Sequence, residues 1–223
     1  MKHYFDLTRP GNAVLTAIAV IAGGFIAIGP DIIDFQKEMI ICCISAMMLV
    51  GGGNALNDYN DRESDKQNHP ERPIPSGKIS ADTALTFAQT LLGLGLVILL
   101  ITLDNKMPFV IAFIGMVTLV AYESRLKATG ISGNIAVGFM SGAVFLYAGM
   151  AVANPGPTLW LFGLAFLATI SREIIKDIPK EEDVSAHSTT FIARPEDDPT
   201  LEELREKRNK GRLASNVQSD TTS

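Results

Sequence analysis

Apolar residues along this chain gather into long runs without charge, separated by short connectors that hold most of the ionisable side chains. Gly11 to Gly29, Met39 to Asn57, Thr83 to Leu103 and Met107 to Tyr122 contain no Asp, Glu, Lys or Arg, and neither does the stretch from Ala128 through Ser171. Such runs approach the ~20 residues a helix needs to cross hydrocarbon, where every backbone polar group must be satisfied within the segment. The last run is about twice that length and is interrupted by Asn154-Pro155-Gly156-Pro157, so it folds back into two segments. The pattern predicts six transmembrane helices, centred near Val20, Met47, Leu94, Ile114, Val144 and Phe166, the fourth being short.

The fold class is therefore all-α, a polytopic transmembrane helical bundle over residues 1–178. Residues 179–223 are polar and predict disorder, apart from a short helix near 200–212 opened by the capping box Thr200-Leu201-Glu202-Glu203. Eleven Lys and Arg lie on one side of the predicted helices, against Lys37 and Lys106 on the other. The positive-inside rule then makes this a multi-pass membrane protein with both termini cytoplasmic, as are the connectors after the second and fourth helices. The first run is longer than a signal-peptide core and follows Arg9-Pro10-Gly11-Asn12, so it is read as a retained helix.

Composition changes little in this picture, since 47% hydrophobic residues and a mean hydropathy of +0.23 suit an apolar soluble protein as well. The net charge of −5 is mostly a property of the tail, and the basic residues sit at membrane edges, which excludes a nucleic-acid partner. Cys42 and Cys43 are adjacent, too close for an ordinary disulfide and without zinc-site spacing, so they are packing residues.

The candidate chemistry begins where the second apolar run ends, in Asn54-Ala-Leu-Asn57-Asp58-Tyr-Asn-Asp61-Arg-Glu-Ser-Asp65. At ~100° per residue, Asn54, Asp58, Asp61 and Asp65 fall within roughly 60° of one another on a helix, with Glu63 roughly opposite. Carboxylates one turn apart repel unless a cation neutralises them. Oxygen-only ligands select a hard ion such as Mg²⁺, which commonly bridges carboxylates to phosphates. The pattern points to a metal-dependent diphosphate site at a membrane surface.

Three further segments bear on it. Asn68-His69-Pro70-Glu71-Arg72-Pro73-Ile74-Pro75-Ser76-Gly77-Lys78 is a stiff, proline-broken loop in which Arg72 and Lys78 either hold diphosphate oxygens or only set topology. Tyr122, Arg125 and Lys127 join the fourth and fifth helices with the same two readings. Arg172, Glu173, Lys176 and Asp177 end the sixth helix, either as surface pairs or as a second acidic cluster facing the first.

In this order and at these helix ends, the segments resemble the UbiA superfamily of intramembrane prenyltransferases. Asn57-Asp58-Tyr-Asn-Asp61-Arg-Glu-Ser-Asp65 fits its Asn-Asp-x-x-Asp-x-x-x-Asp motif and Arg72-Pro73-Ile74-Pro75-Ser76-Gly77 its arginine-proline loop. Arg9-Pro10-Gly11-Asn12, Leu126-Lys127-Ala-Thr-Gly130-Ile-Ser-Gly133-Asn134 and Arg172-Glu173-Ile-Ile-Lys-Asp177 look most like the archaeal branch that makes ether lipids. The resemblance implies a helical bundle with a central cavity under a cytoplasmic cap, in which Mg²⁺ and an isoprenyl diphosphate bind two acidic motifs. It implies transfer of a geranylgeranyl group from geranylgeranyl diphosphate to geranylgeranylglyceryl phosphate. Carried over by position, Asp58, Asp61 and Asp65 hold metal, Asn54 and Asn57 support them, Arg72 and Lys127 contact phosphate, and Asp177 begins the second motif. Asn68, Lys78, Tyr122, Arg125 and Arg172 join as substrate contacts.

The resemblance spans residues 1 to about 178. Beyond Asp177 the family's further acids and helices are missing, and Glu181 is the candidate to complete the second metal site, although Pro179 interrupts the helix that would align them. An open wall of the bundle predicts self-association or a second covering chain. No residue reads out the acceptor, so an aromatic or quinone-precursor prenyltransferase is the alternative enzyme. A non-catalytic isoprenoid-diphosphate binder is the alternative of another class. A CDP-alcohol phosphotransferase is disfavoured because its Asp-Gly and Ala-Arg elements are absent between Asp58 and Lys78. An ion channel is disfavoured because no predicted span has an ionisable residue at its centre.

Overall fold

A computed structural model describes residues 2–176 and residue 206. Eight α-helices follow in order: α1 (Lys2–Thr8), α2 (Pro10–Ile28), α3 (Gln36–Asn60), α4 (Arg62–Asn68), α5 (Ala81–Thr102), α6 (Met107–Ser124), α7 (Ile131–Ala151) and α8 (Gly156–Lys176). No strand occurs among the described residues. Five stretches are long and apolar enough to cross a membrane, and the first, Pro10–Asn60, runs to 51 residues. That stretch holds both α2 and α3, joined by the 3-10 turn Gly29–Phe35. They fold back on each other, with Met39 of α3 packed over Gly24 of α2. The six apolar segments expected from the pattern are thus all helices, two of them within one stretch. This is the architecture of a multi-pass membrane protein. The polar region after 178 and its short helix lie outside the described residues, Glu206 excepted.

Local sequence sets the ends of these helices. Pro10 enters at the first turn of α2, where a missing N–H costs nothing, and Gly29, at φ 64°, closes α2 by donating its N–H to Phe25 O. Ser80 caps α5, its Oγ accepting from the Thr83 N–H at 3.2 Å. At ~1.5 Å per residue the 25 residues of α3 reach about 37 Å, longer than the hydrocarbon core of a bilayer, so its last turn stands in the polar region.

Helix α3 is the centre of the bundle and packs against α1, α2, α5, α6 and α7. Its contact with α5 is made by small residues. A Cβ on Gly52 would lie 3.0 Å from Ala88 O and 3.1 Å from Leu92 N, both backbone atoms that cannot turn aside. Ser45 Oγ donates to Gly95 O at 2.7 Å in the same seam. Gly142 gives α7 an equally close approach to Phe162 O of α8. In lipid, where apolar side chains gain little by leaving their surroundings, this close backbone packing supplies the association energy. Gly52→Val is therefore expected to push α3 off α5 and lower stability by ~1–3 kcal/mol, read as a fall in melting temperature in detergent.

At the end away from the acids, Asn154 Nδ2 donates to Ala27 O at 2.8 Å and Asn105 Nδ2 to Met150 O at 2.7 Å, tying the connectors to helix ends. Cys42 is fully buried and both cysteines are free thiols, in keeping with a packing role. Leu15, Ile101, Trp160 and Leu164 stand exposed on the outside, an apolar belt suited to lipid. At the acid end a smaller core of Leu7, Ala55, Ile79, Ala84 and Ala88 fixes α1 and the 69–80 loop against α3 and α5.

Candidate functional site

The acidic run keeps its helical phase through the break between α3 and α4. Asp61 sits between the two helices, yet its N–H still donates to Asn57 O at 2.9 Å, and the Asp65 N–H donates to Asp61 O at 2.8 Å. The carboxylates of Asp58, Asp61 and Asp65 therefore stay one turn apart on one side. Asp58 and Asp65 are buried, with side chains 4% and 6% exposed, while Asp61 is 29% exposed. Glu63 faces elsewhere and pairs with Lys66 at 2.7 Å, which holds its carboxyl below the ordinary range.

In this structure the repulsion along the stripe is relieved by basic side chains. Arg9 Nη2 donates to Asp58 Oδ1 at 2.5 Å. Arg72 Nη1 donates to Asp65 Oδ2 at 2.7 Å and lies 3.5 Å from Asp58 Oδ1. Lys127 Nζ lies 2.6 Å from both Asp61 oxygens. Buried carboxylates are tolerated only when paired, and here three basic groups from three separate segments supply the pairing. Among the described residues no three acidic, His or Cys side chains converge on one metal position. Arg72 and Lys127, expected on phosphate, hold carboxylates in this state.

Arg72 reaches inward because its loop winds into successive turns. The Arg72 N–H donates to His69 O, the Ser76 N–H and hydroxyl both donate to Arg72 O, and the Ile79 N–H donates to Pro73 O. The prolines exclude helix as expected, and the turns they impose aim the guanidinium at the buried acids.

Next to the stripe, Asn57 Nδ2 donates to Asp61 Oδ2 at 3.1 Å and to Glu123 Oε1 at 3.0 Å. Lys127 Nζ lies 3.7 Å from Glu123 Oε2, whose side chain is 4% exposed. Asn57 and Glu123 also line a cavity of about 320 Å³ that opens between α2, α3, α5, α6 and α7. Its walls are apolar apart from that end, with Leu49, Val50, Leu92, Met116, Leu119 and Met140 among them, and Ala46, Ala112 and Tyr147 line it deeper in. Eleven residues separate Asn57 from Ala46, about 16 Å along the helix axis. Tyr147 donates its hydroxyl to Cys42 O at 3.0 Å, so its polar tip is satisfied within the core. A partly open apolar cavity with one polar, charged rim suits a ligand that has a hydrocarbon tail and an anionic head.

The chemistry of the donors suits a hard cation, although in this arrangement only Asp58 and Asp65 share one position and Asp61 pairs apart from them with Lys127. The donors are oxygen-only, and Arg72 Nη1 stands between Asp58 Oδ1 and Asp65 Oδ2, where a positive group already bridges two buried carboxylates. Asp58, Asp61 and Asp65 are the residues that would hold a divalent ion, with Asn57 supporting Asp61.

Other expected site residues fall at varying distances from this cluster. Asn54 is a positioning residue, its Nδ2 donating to Thr8 O at 2.9 Å and fixing the end of α1 to α3. Tyr122 ends α6 with its ring against Gly133 of α7. Asn68, Lys78 and Arg125 are exposed and outside the paired cluster, Lys78 Nζ reaching Glu71 O at 3.4 Å. Arg172 Nη2 pairs with buried Glu173 Oε1 at 2.9 Å. Asp177 and Glu181 lie outside the described residues.

Sequence reasoning passed over Arg9 and Glu123. In the sequence Arg9 is one of the basic residues at the membrane edges and the start of the Arg9-Pro10-Gly11-Asn12 segment, and the 49 residues between it and Asp58 give no local sign of pairing. Glu123 stood in a segment read for its basic residues. Its signal was spacing: it precedes Lys127 by one helical turn, and it is the one acid at the end of the fourth apolar run.

Comparison with known proteins gives a consistent result. The model of the UbiA prenyltransferase family matches residues 14–195, continuing past residue 178, where the resemblance read from motifs had stopped. The digeranylgeranylglyceryl phosphate synthase of Methanopyrus kandleri is 38% identical over 182 residues, covering 82% of this chain and 65% of the relative. That of Methanothrix thermoacetophila is 36% identical over 173 residues, 78% of this chain and 63% of the relative. A solved structure from a study of digeranylgeranylglyceryl phosphate synthase in membranes is similar with a TM-score of 0.72 at 35% identity, covering 79% of this chain and 62% of that one. The chain thus spans slightly less than two thirds of the length of these relatives.

Proposed function

The chain belongs to the UbiA prenyltransferase family, and from that premise we propose that it is a Mg²⁺-dependent intramembrane prenyltransferase. It transfers a geranylgeranyl group from geranylgeranyl diphosphate to the free hydroxyl of geranylgeranylglyceryl phosphate. The names of its relatives support this choice of substrates. The observation that carries the reading is the continuity of the paired acid cluster with the apolar cavity through Asn57 and Glu123. One wall set fits the hydrocarbon tail, and the charged rim fits the phosphates.

In this reading the donor's isoprenoid tail lies in the cavity among Leu49, Leu92, Met116 and Met140, which exclude water from the reacting carbon. Arg72 and Lys127 turn from their carboxylates to the diphosphate oxygens and stabilise the charge that develops as the carbon–oxygen bond breaks and diphosphate leaves with the electron pair. The acceptor oxygen forms the new ether bond, and its proton passes to the departing diphosphate. Asp58, Asp61 and Asp65 are the carboxylates that would hold a divalent cation, which when bound would supply further positive charge beside the leaving diphosphate. The excess of basic residues in the connectors on this side supports a cytoplasmic rim and cytoplasmic termini.

The test is ether-lipid formation by the purified chain in lipid nanodiscs, given geranylgeranyl diphosphate and geranylgeranylglyceryl phosphate with Mg²⁺ or with EDTA. Product is expected with Mg²⁺, and its loss in EDTA should be reversed by adding Mg²⁺ back. Equal product in EDTA, or diphosphate release with no product from this acceptor, would overturn the proposal.

A further inference from the structure

We infer that Arg9 is a phosphate-binding residue of this site, held on Asp58 until a divalent cation takes that carboxylate; the inference rests on the function proposed above. Two guanidiniums converge on one buried oxygen, Asp58 Oδ1, with Arg9 Nη2 at 2.5 Å and Arg72 Nη1 at 3.5 Å. Like charges this close are stable only because the carboxylates of Asp58 and Asp65 stand between them. A divalent cation on Asp58 removes that screen and adds charge of the same sign, so one guanidinium must leave.

The geometry selects Arg9. Arg72 retains Asp65 at 2.7 Å when it gives up Asp58, whereas the salt bridge of Arg9 among the described residues is to Asp58. The Arg9 side chain is also 36% exposed against 27% for Arg72, so it swings into the rim without opening the core. Its backbone is held independently of that bridge. Asn54 Nδ2 holds the Thr8 carbonyl beside it, and Leu7 is buried with Ala55 and Ile79. Arg9 itself has φ 49° and ψ 71°, a left-handed conformation that costs a residue with a side chain of this size on the order of 1 kcal/mol or more and is kept mainly at functional positions. A planar guanidinium freed at this rim meets the substrates' phosphate oxygens, which it can hold with two parallel hydrogen bonds. The ligand is a phosphate group: the donor's diphosphate or the acceptor's phosphomonoester.

The exchange makes opposite predictions for the two kinds of ligand. Mn²⁺, titrated into the purified full chain without substrate and followed by electron paramagnetic resonance, is expected to bind about tenfold tighter to Arg9→Gln than to wild type, because the competing charge is gone. Arg9→Lys, which keeps a charge without the fork, should fall between them. The same Arg9→Gln change is expected to raise KM about tenfold or more for the substrate whose phosphate Arg9 holds. A rise for the donor alone assigns the diphosphate, and a rise for the acceptor alone assigns the phosphomonoester. A purely structural bridge predicts that metal and substrate both bind worse. Mn²⁺ affinity unchanged or weakened in the variants, or no KM rise for either substrate, overturns the inference. If Arg9→Gln does not fold, Arg9→Lys decides the same question. The Mn²⁺ arm involves no turnover, so a wild-type chain that makes no product would sink the proposed function separately.

Discussion

Asp61→Ala is expected to lower transfer by on the order of 10³-fold while leaving the bundle folded, as the loss of an essential electrostatic group does in other active sites. The separation of the two effects comes from burial. Asp61 is 29% exposed and its basic partner, Lys127, is itself 38% exposed, so removing the carboxylate leaves a lysine that water can solvate. Asn57 loses one acceptor but keeps Glu123 at 3.0 Å. Asp58→Ala is a harsher change. It strips Arg9 of its partner and weakens the hold on Arg72 at a buried position, where breaking one side of an ion pair costs ~3–5 kcal/mol. Asp58→Ala should therefore lose activity and stability together, and Asp61→Ala activity alone. Product formation measured beside melting temperature checks both. Turnover at wild-type rate in both variants would remove the acids from the mechanism.

The parts of this molecule that were legible in the sequence are those that depend on local periodicity. Six apolar segments could be read because a bilayer demands a fixed length of uncharged helix, and that demand is written residue by residue from Gly11 to Ser171. The carboxylate stripe was legible for the same reason, since Asp58, Asp61 and Asp65 keep helical spacing, and the structure preserves their i to i−4 backbone bonds even where α3 gives way to α4. What neutralises the stripe was not legible. Arg9, Arg72 and Lys127 reach it from a helix junction, a proline-turned loop and the connector between α6 and α7, and pairings across 49 and 66 residues leave no periodic trace. The spacing alone shows an unneutralised stripe, which leaves Arg72 and Lys127 as either phosphate contacts or topological charges and gives no sign that they pair with the acids. In the folded chain the same residues serve the carboxylates first, because a buried charge without a partner costs more than the helix repulsion that the spacing suggested. The cavity was likewise invisible, as its walls are ordinary apolar helix positions until five helices surround them.

Gly115→Phe is expected to raise KM for a twenty-carbon donor about a hundredfold and to spare a ten-carbon donor by comparison. Gly115 lines the cavity on α6, and a Cβ built there meets nothing within 4 Å, so a larger side chain enters the chamber instead of straining the packing. A cavity of about 150 Å³ is enough to take a benzene ring, and that is roughly half of the 320 Å³ available. Displacing one five-carbon unit of the tail, at ~0.8 kcal/mol per buried carbon, costs up to about 4 kcal/mol, and partial repacking brings the expected loss nearer a hundredfold. The substitution also replaces a helical glycine, so a general loss of stability is not its natural outcome. Gly93→Phe is the control, because Gly93 is exposed on α5, is not among the cavity's lining residues, and also has nothing within 4 Å of its Cβ. If Gly115→Phe slows long and short donors equally, or if Gly93→Phe reproduces its effect, the cavity is not where the isoprenoid tail lies. A length-dependent loss confined to Gly115→Phe would assign the tail to the chamber below Asn57 and Glu123, and with it the position of the reacting carbon beside the carboxylates of α3.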